Sequence, residues 1–235
     1  MLWGEDRGAL KGEYRQFCAI ARTLDLIDRR WTLLVVRELA LRGPLTPGAI
    51  ARGLPEVPMN QLVQRLAELE AAEVVAALDD GAYRLTPLGL ELEPVLEALA
   101  RFGLRRLSGE GARPGDAVLP HVLMRQLELR YEEGGADGGL RGRFELQISD
   151  PETLWSVEPG APAPARFALV AEPPRLHARA GACLDPDATL RMSVEACCKL
   201  VAGHRPPKVD VDGDPALADA LLSALAPGGR LAAVA

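Results

Sequence analysis

The stretch PEVPMNQLVQRLAELEAAEVV, residues 55–75, sets Asn60, Gln61, Gln64 and Arg65 close together. These side chains suit the edges of base pairs: Asn and Gln pair a donor with an acceptor, as adenine requires, and Arg offers two donors to guanine. Leu62, Leu66 and Leu69 recur at helical spacing in the same stretch. A helix from about Met59 to Ala72 would bury those leucines and turn the amides and Arg65 outward. A helix whose polar face is only solvated has the same pattern, so the surrounding elements must separate the two readings.

Those elements are legible. Phe17, Ala21, Leu24 and Ile27, then Trp31, Leu34, Val35, Glu38 and Leu39, recur at three and four and predict two consecutive helices. Thr46-Pro47 reads as an N-cap and first helical position of a short helix ending near Gly53. After the Met59 helix the period changes: VVAALDDGAYRLTP reads as a β-hairpin turning at Asp79-Asp80-Gly81, with Arg84 on its second strand. LELEPVLEALARFGLRRL then reads as one amphipathic helix kinked at Pro94, with Val95, Leu96, Leu99 and Phe102 as an apolar group for pairing with a second copy. Four helices, a hairpin and a helix make the order of a winged helix-turn-helix, and that context favours DNA reading for the 59–72 helix.

The chain then changes character. SGEGARPGD, residues 108–116, reads as a linker. Beyond it VLPHVLMRQLELRY predicts a helix, and RFELQIS, TLWSV, RFALVA, RLHARA, ATLRM and KVDV predict short strands. SVEACCKLVAG and DPALADALLSAL predict two late helices, giving an α+β domain with helices covering one face of a sheet. The reading is a flexible segment at 1–12, a winged-helix domain at 13–107, the linker, a second domain at 117–226 and a tail at 227–235. Met124, Phe144, Leu146, Trp155, Phe167, Leu169 and Met192 supply the large apolar groups that either an ordinary core or a ligand cavity needs.

Other chemistry is weak. His121, His177 and His204 lie in no metal-ligand or nucleophile spacing, and the GGADGG run lacks the Lys and Ser/Thr of a phosphate loop. DVDGD, residues 210–214, has Leu221 where a calcium loop needs its bidentate Glu, so a helix cap at Asp214-Pro215 explains it better. Cys18, Cys183, Cys197 and Cys198 show no paired ligand spacing and read as reduced thiols. No cofactor, metal site or catalytic constellation is expected.

Residues 17–103 resemble the HxlR family of winged-helix transcriptional regulators, relatives of MarR proteins. The resemblance rests on CAIARTLDLIDRRWTLLVVRELALRGP, LPEVPMNQLVQRLAELE and YRLTPLGLELEPVLEAL. It implies a homodimer joined through the terminal helices, with Met59, Asn60, Gln61, Gln64 and Arg65 in a major groove and Arg84 as a wing contact. It also aligns Cys18 with a cysteine that some members use as a redox or electrophile sensor; a small hydrophobe in the first helix is the other reading. The chain departs from the family at Thr46-Pro47-Gly48-Ala49-Ile50, where Arg-Phe-Ser-Glu-Leu is usual, at Pro58 in place of the capping Ser, and at Glu73 in place of a helix-ending glycine.

Residues 113–226 more loosely resemble the sterol carrier protein type 2 domain, chiefly through DPDATLRMSVEACCKLVAGHRPPKVDVDGDPALADALLSAL. That resemblance implies an apolar cavity for a hydrophobic small molecule, lined by the seven apolar residues named above.

Of the 235 residues 48% are hydrophobic and 26% charged, which suits a chain of two folded domains, and the net charge of −6 speaks against indiscriminate coating of nucleic acid. Through Leu107 there are 14 basic and 15 acidic residues, and after it 13 and 18, so the first domain is the better DNA partner. No apolar run suits a membrane span or a signal peptide, and a cytoplasmic location is expected. The reading that follows is a homodimeric, ligand-responsive transcriptional regulator binding operator double-stranded DNA. The alternative is a carrier, sequestration protein or enzyme that uses the second domain's cavity and not DNA.

Overall fold

The computed structural model describes residues 14–107, 111–134, 139–156 and 165–226. The expected segment 1–12 and tail 227–235 lie outside these, as do residues 108–110 of the expected linker and 135–138 of the glycine run. The chain divides into two compact units, Met1–Glu97 and Ala98–Ala235.

In the first unit, α1 (Ala19–Ile27), α2 (Thr32–Arg42), α3 (Pro47–Arg52) and α4 (Met59–Ala71) precede a hairpin of β1 (Val75–Ala77) and β2 (Tyr83–Leu85). Gly81 makes the turn with φ +78°, and Leu45 pairs with Tyr83, so the wing carries a third, single-residue rung. Val35, Val36, Leu39, Ile50, Leu54, Leu62, Leu66, Leu69, Val74 and Val75 form the core, each at most 3% exposed. Phe17, expected on the first helix's inner face, precedes α1 and is fully exposed.

The helix expected after Gly89 is two helices, α5 (Pro87–Leu90) and α6 (Glu93–Leu104). The break comes at Glu91-Leu92, before Pro94, which sits in the first turn of α6, where a missing N–H costs nothing. Leu96, expected in the outward apolar group, packs partly buried against the first core, while Val95, Leu99 and Phe102 are 37%, 48% and 57% exposed.

In the second unit, α7 (Pro120–Gly134) leads to β3 (Gly142–Ile148), β4 (Arg166–Glu172), β5 (Arg175–Ala180), β6 (Ala188–Met192), α8 (Val194–Val201), β7 (Asp210–Gly213) and α9 (Pro215–Leu225). The sheet order is β5-β4-β3-β6-β7, with β3 and β6 parallel and the other pairs antiparallel. Alternation puts Phe144, Leu146, Ile148, Phe167, Leu169, Leu190 and Met192 into one buried cluster with residues of α7, α8 and α9. Ser193 and Asp214 cap α8 and α9 through their side-chain oxygens. Two strand expectations are corrected. The described residues of TLWSV, 153–156, supply no strand of the sheet: Pro151–Thr153 is a 3-10 turn and Leu154 makes a single bridge to Val118. The KVDV strand starts two residues later than expected, at Asp210.

The end of α4 has the geometry that normally calls for glycine. The Glu73 N–H donates to Glu70 O and the Val74 N–H to Leu69 O, the paired bonds of a Schellman cap, and Glu73 holds the left-handed position at φ +58°. Glu73→Gly is therefore expected to stabilise the protein by about 1 kcal/mol, relief of the left-handed strain outweighing the extra freedom of the unfolded chain. Denaturant midpoints of the two proteins check it; a lower midpoint for the variant would show that the glutamate side chain has a stabilising role.

Candidate nucleic-acid interface

The helix-turn-helix is built around a buried carboxylate. Glu38 of α2, 0% exposed, lies among the apolar residues of its helix face. Its Oε1 accepts from Arg37 Nη2 at 2.7 Å and Nε at 3.1 Å, and its Oε2 from Arg42 Nη1 at 3.1 Å. The same arginines reach the next helix: Arg37 Nη2 donates to Gly53 O at 3.2 Å and Arg42 Nη1 to Ala49 O at 3.2 Å. A Cβ at residue 53 would stand 1.8 Å from Glu38 Oε2, so only glycine lets the end of α3 lie against the carboxylate. Thr46 fixes the start of α3, its Oγ1 accepting from the Ala49 N–H at 3.3 Å.

The turn from Gly53 delivers α4, which starts without a side-chain cap because Pro58 offers no oxygen. Leu62, Leu66 and Leu69 are buried, and Met59, Asn60, Gln61 and Gln64 are exposed. Arg65 is not with them. Expected on the outer face, it is 7% exposed and ion-paired to Glu68 through Nη1 at 2.5 Å. The helix explains why: at 100° per residue, position 65 falls beside 62, 66 and 69. Glu68, on the outer side one turn beyond Gln64, was not singled out in the sequence; its signal is the spacing of three and four from Arg65 and Gln64.

The wing is tied to the end of α4. Thr86 Oγ1 donates to Glu73 O at 2.6 Å and lies 3.2 Å from Val74 O, and it also accepts from the Gly89 N–H at 3.0 Å to cap α5. Arg84 is exposed on β2. Asp79 and Asp80 are exposed at the tip, where Asp80 Oδ1 accepts from the Ala82 N–H at 3.0 Å.

A profile of the HxlR-like helix-turn-helix family matches residues 26–110. An HTH-type transcriptional regulator of Synechocystis is 32% identical over 97 residues, covering 39% of this chain and 71% of that protein. This chain belongs to the HxlR-like helix-turn-helix family. YkvN, an HTH-type transcriptional regulator of Bacillus subtilis, is 30% identical over 92 residues, covering 37% of this chain and 77% of that protein. The solved structure of quinone-bound YodB from the same organism aligns at 28% identity with 37% of this chain and 96% of that chain, with a TM-score of 0.34. Both sequence relatives are HTH-type transcriptional regulators, and the chain is an HxlR-type transcriptional regulator with a winged helix-turn-helix in its first unit.

The regulator's second unit is a helix-and-sheet region. Met124, Phe144, Leu146, Phe167, Leu169 and Met192 lie together in its buried cluster at 0–4% exposure. Trp155 is separate from that group at 43% exposure. Cys18 is exposed at the start of α1, against its reading as a packed small hydrophobe, whereas Cys197 is fully buried and desolvation pushes its thiol far up. Burial likewise raises Cys183 and Cys198, which keeps these thiols protonated near neutral pH. Among the described residues no group of His, Cys, Asp and Glu could hold a metal ion, and no helix is long and apolar enough to cross a membrane.

Removing the Glu38 carboxylate leaves two guanidinium groups, 22% and 15% exposed, facing each other beside the α3 terminus. Glu38→Ala is expected to cost about 3 kcal/mol of stability, the lower end for a broken buried pair because both arginines retain a route to solvent. Urea unfolding monitored by circular dichroism checks this; a loss below about 1 kcal/mol would show that the cluster is dispensable.

Proposed function

We propose that the regulator binds operator DNA as a homodimer, with α4 in the major groove and the hairpin beside it. The observation that carries this reading is the outer face of α4 in its helix-turn-helix setting: Met59, Asn60, Gln61 and Gln64 are exposed on a helix whose opposite face is locked into the core. Asn60 and Gln61, at the end that would enter the groove, address base edges, while Arg84 contributes phosphate or minor-groove contact from the wing. Arg65 belongs to the helix's inner flank and is no longer among the first readers.

Support for the dimer is the apolar surface on α6. Val95, Leu99 and Phe102 recur at spacings of four and three and are 37–57% exposed, and Phe17, just before α1, and Ile20, in its first turn, are exposed as well. A second copy would cover such a stripe, as the family resemblance implies. The DNA-binding unit spans residues 13–107 and the ligand-binding unit residues 117–226. The second is proposed to hold an apolar small molecule and to bias the DNA-competent arrangement, in keeping with its loose likeness to the sterol carrier protein type 2 domain. Its order of three antiparallel strands, a parallel fourth and a closing fifth, with the apolar side chains on one sheet face, supports that assignment.

Three measurements test this reading. Mobility shifts on the DNA flanking the coding region should show that Asn60→Ala and Gln61→Ala lose about 1–3 kcal/mol of discrimination per base contact, whereas Arg84→Ala weakens binding to every sequence alike. Unaltered binding by all three variants would make α4 a scaffold. Sedimentation equilibrium should give twice the chain mass, falling to one chain for Leu99→Glu combined with Phe102→Glu; a monomeric parent protein would contradict the dimer. Mass spectrometry of molecules extracted from the purified full chain should find an apolar compound near one per chain, and a ligand-free extract would remove the support for ligand sensing.

A further inference from the structure

The row of α4 that runs through Asn60 and Gln64 continues to an acidic group, Glu68, amid the residues proposed to address DNA. Its carboxylate is held from three sides. Oε1 accepts from Gln64 Nε2 at 3.1 Å and from Arg29 Nη1 at 3.3 Å, and Oε2 pairs with Arg65 Nη1 at 2.5 Å. Gln64 and Arg65 are thus occupied at the middle of α4, and Arg29, between α1 and α2, is drawn to the same carboxylate. Asn60 and Gln61 lie nearer the helix start.

We infer that Glu68 determines the specificity of the regulator by holding Gln64 and Arg65 back from DNA, so that base reading is confined to the first turn of α4. The inference rests on the DNA-binding reading above. An Arg that loses its carboxylate while 9% exposed cannot stay where it is without a counter-charge, and a phosphate or a guanine edge is the nearest replacement in a DNA complex. Gln64, released, regains a donor and an acceptor matched to adenine. Pairing with the carboxylate also keeps Arg29 and Arg65 from engaging phosphates, which holds down affinity for unselected duplexes.

The test is enrichment of random double-stranded DNA by the full-length protein, its Glu68→Gln and Glu68→Ala variants and the double variant Gln64→Ala/Glu68→Gln, followed by salt titration on the selected and on unrelated duplexes. Glu68→Gln keeps the length of the side chain, and the retained thermal transition of each variant shows that it is folded. The expected result is one or more base preferences that the parent lacks, with the adenine preference lost again in the double variant. A salt slope steeper by about 0.9 for each phosphate newly engaged should accompany it, which corresponds to a further loss of about 3.5-fold in affinity between 50 and 200 mM salt. An unchanged selection and slope in both Glu68 variants would overturn the inference while leaving DNA reading by α4 intact. So would loss of a single cytosine preference, because Glu68 would then read a base itself. If the parent selects no sequence, the DNA-reading proposal falls and this one with it.

Discussion

The arrangement of the first unit depends on a carboxylate that has no water to solvate it. Glu38 sits at full burial between Arg37 and Arg42, and both arginines spend further donors on main-chain carbonyls of α3 and its end. A buried ion is expensive unless its partners are fixed in place, and here the fixing partners are also the groups that join α2 to α3. The same two guanidinium groups thus tie the buried carboxylate of α2 to the carbonyls of Ala49 and Gly53, in α3 and at its end. The turn that leads from Gly53 into α4 starts from this fixed point, and the proposed placement of side chains on base edges depends on such support.

α4 itself divides its work by face. Its leucines anchor it, Arg65 leans inward, and the outer row runs from Asn60 through Gln64 to Glu68. At its far end the Schellman cap and the Thr86 hydroxyl bind the helix terminus to the wing, so α4 and the hairpin are supported by the same few main-chain groups. The acidic overall charge is compatible with this arrangement, since its excess lies after Leu107 and the first part is close to neutral. Such a protein relies on placed contacts and not on a general attraction to phosphate.

The sequence disclosed the elements better than the roles within them. The leucine period alone is sufficient for α4, whose ends carry Pro58 and Glu73 in place of the usual cap residues, whereas the hairpin at Gly81, β3 through β6, α8 and α9 combine a clear pattern with a turn or capping residue. Arg65 has the chemistry of base recognition, but its position beside Leu62 and Leu66 places it on the inner flank and not on the outer face expected of it. Glu38 was visible as a charge in an apolar stripe, but its meaning needed Gly53, fifteen residues away and brought near only by the fold. TLWSV has the composition of a strand and lacks a neighbour to pair with in the sheet, a property of tertiary arrangement that propensity does not carry. The break at Glu91-Leu92 was placed at Pro94 because a proline marks the first turn of a helix as readily as a kink inside one.

In the proposed complex α4, anchored beside the Glu38 cluster, enters the major groove in two copies. Methylation interference on the selected operator tests it most directly, since dimethyl sulfate modifies guanine N7 on the major-groove edge. The account predicts two clusters of interfering guanines whose centres lie one helical turn apart, about 34 Å, or a multiple of that. Interference limited to minor-groove positions, or a single cluster bound by one chain, would contradict it.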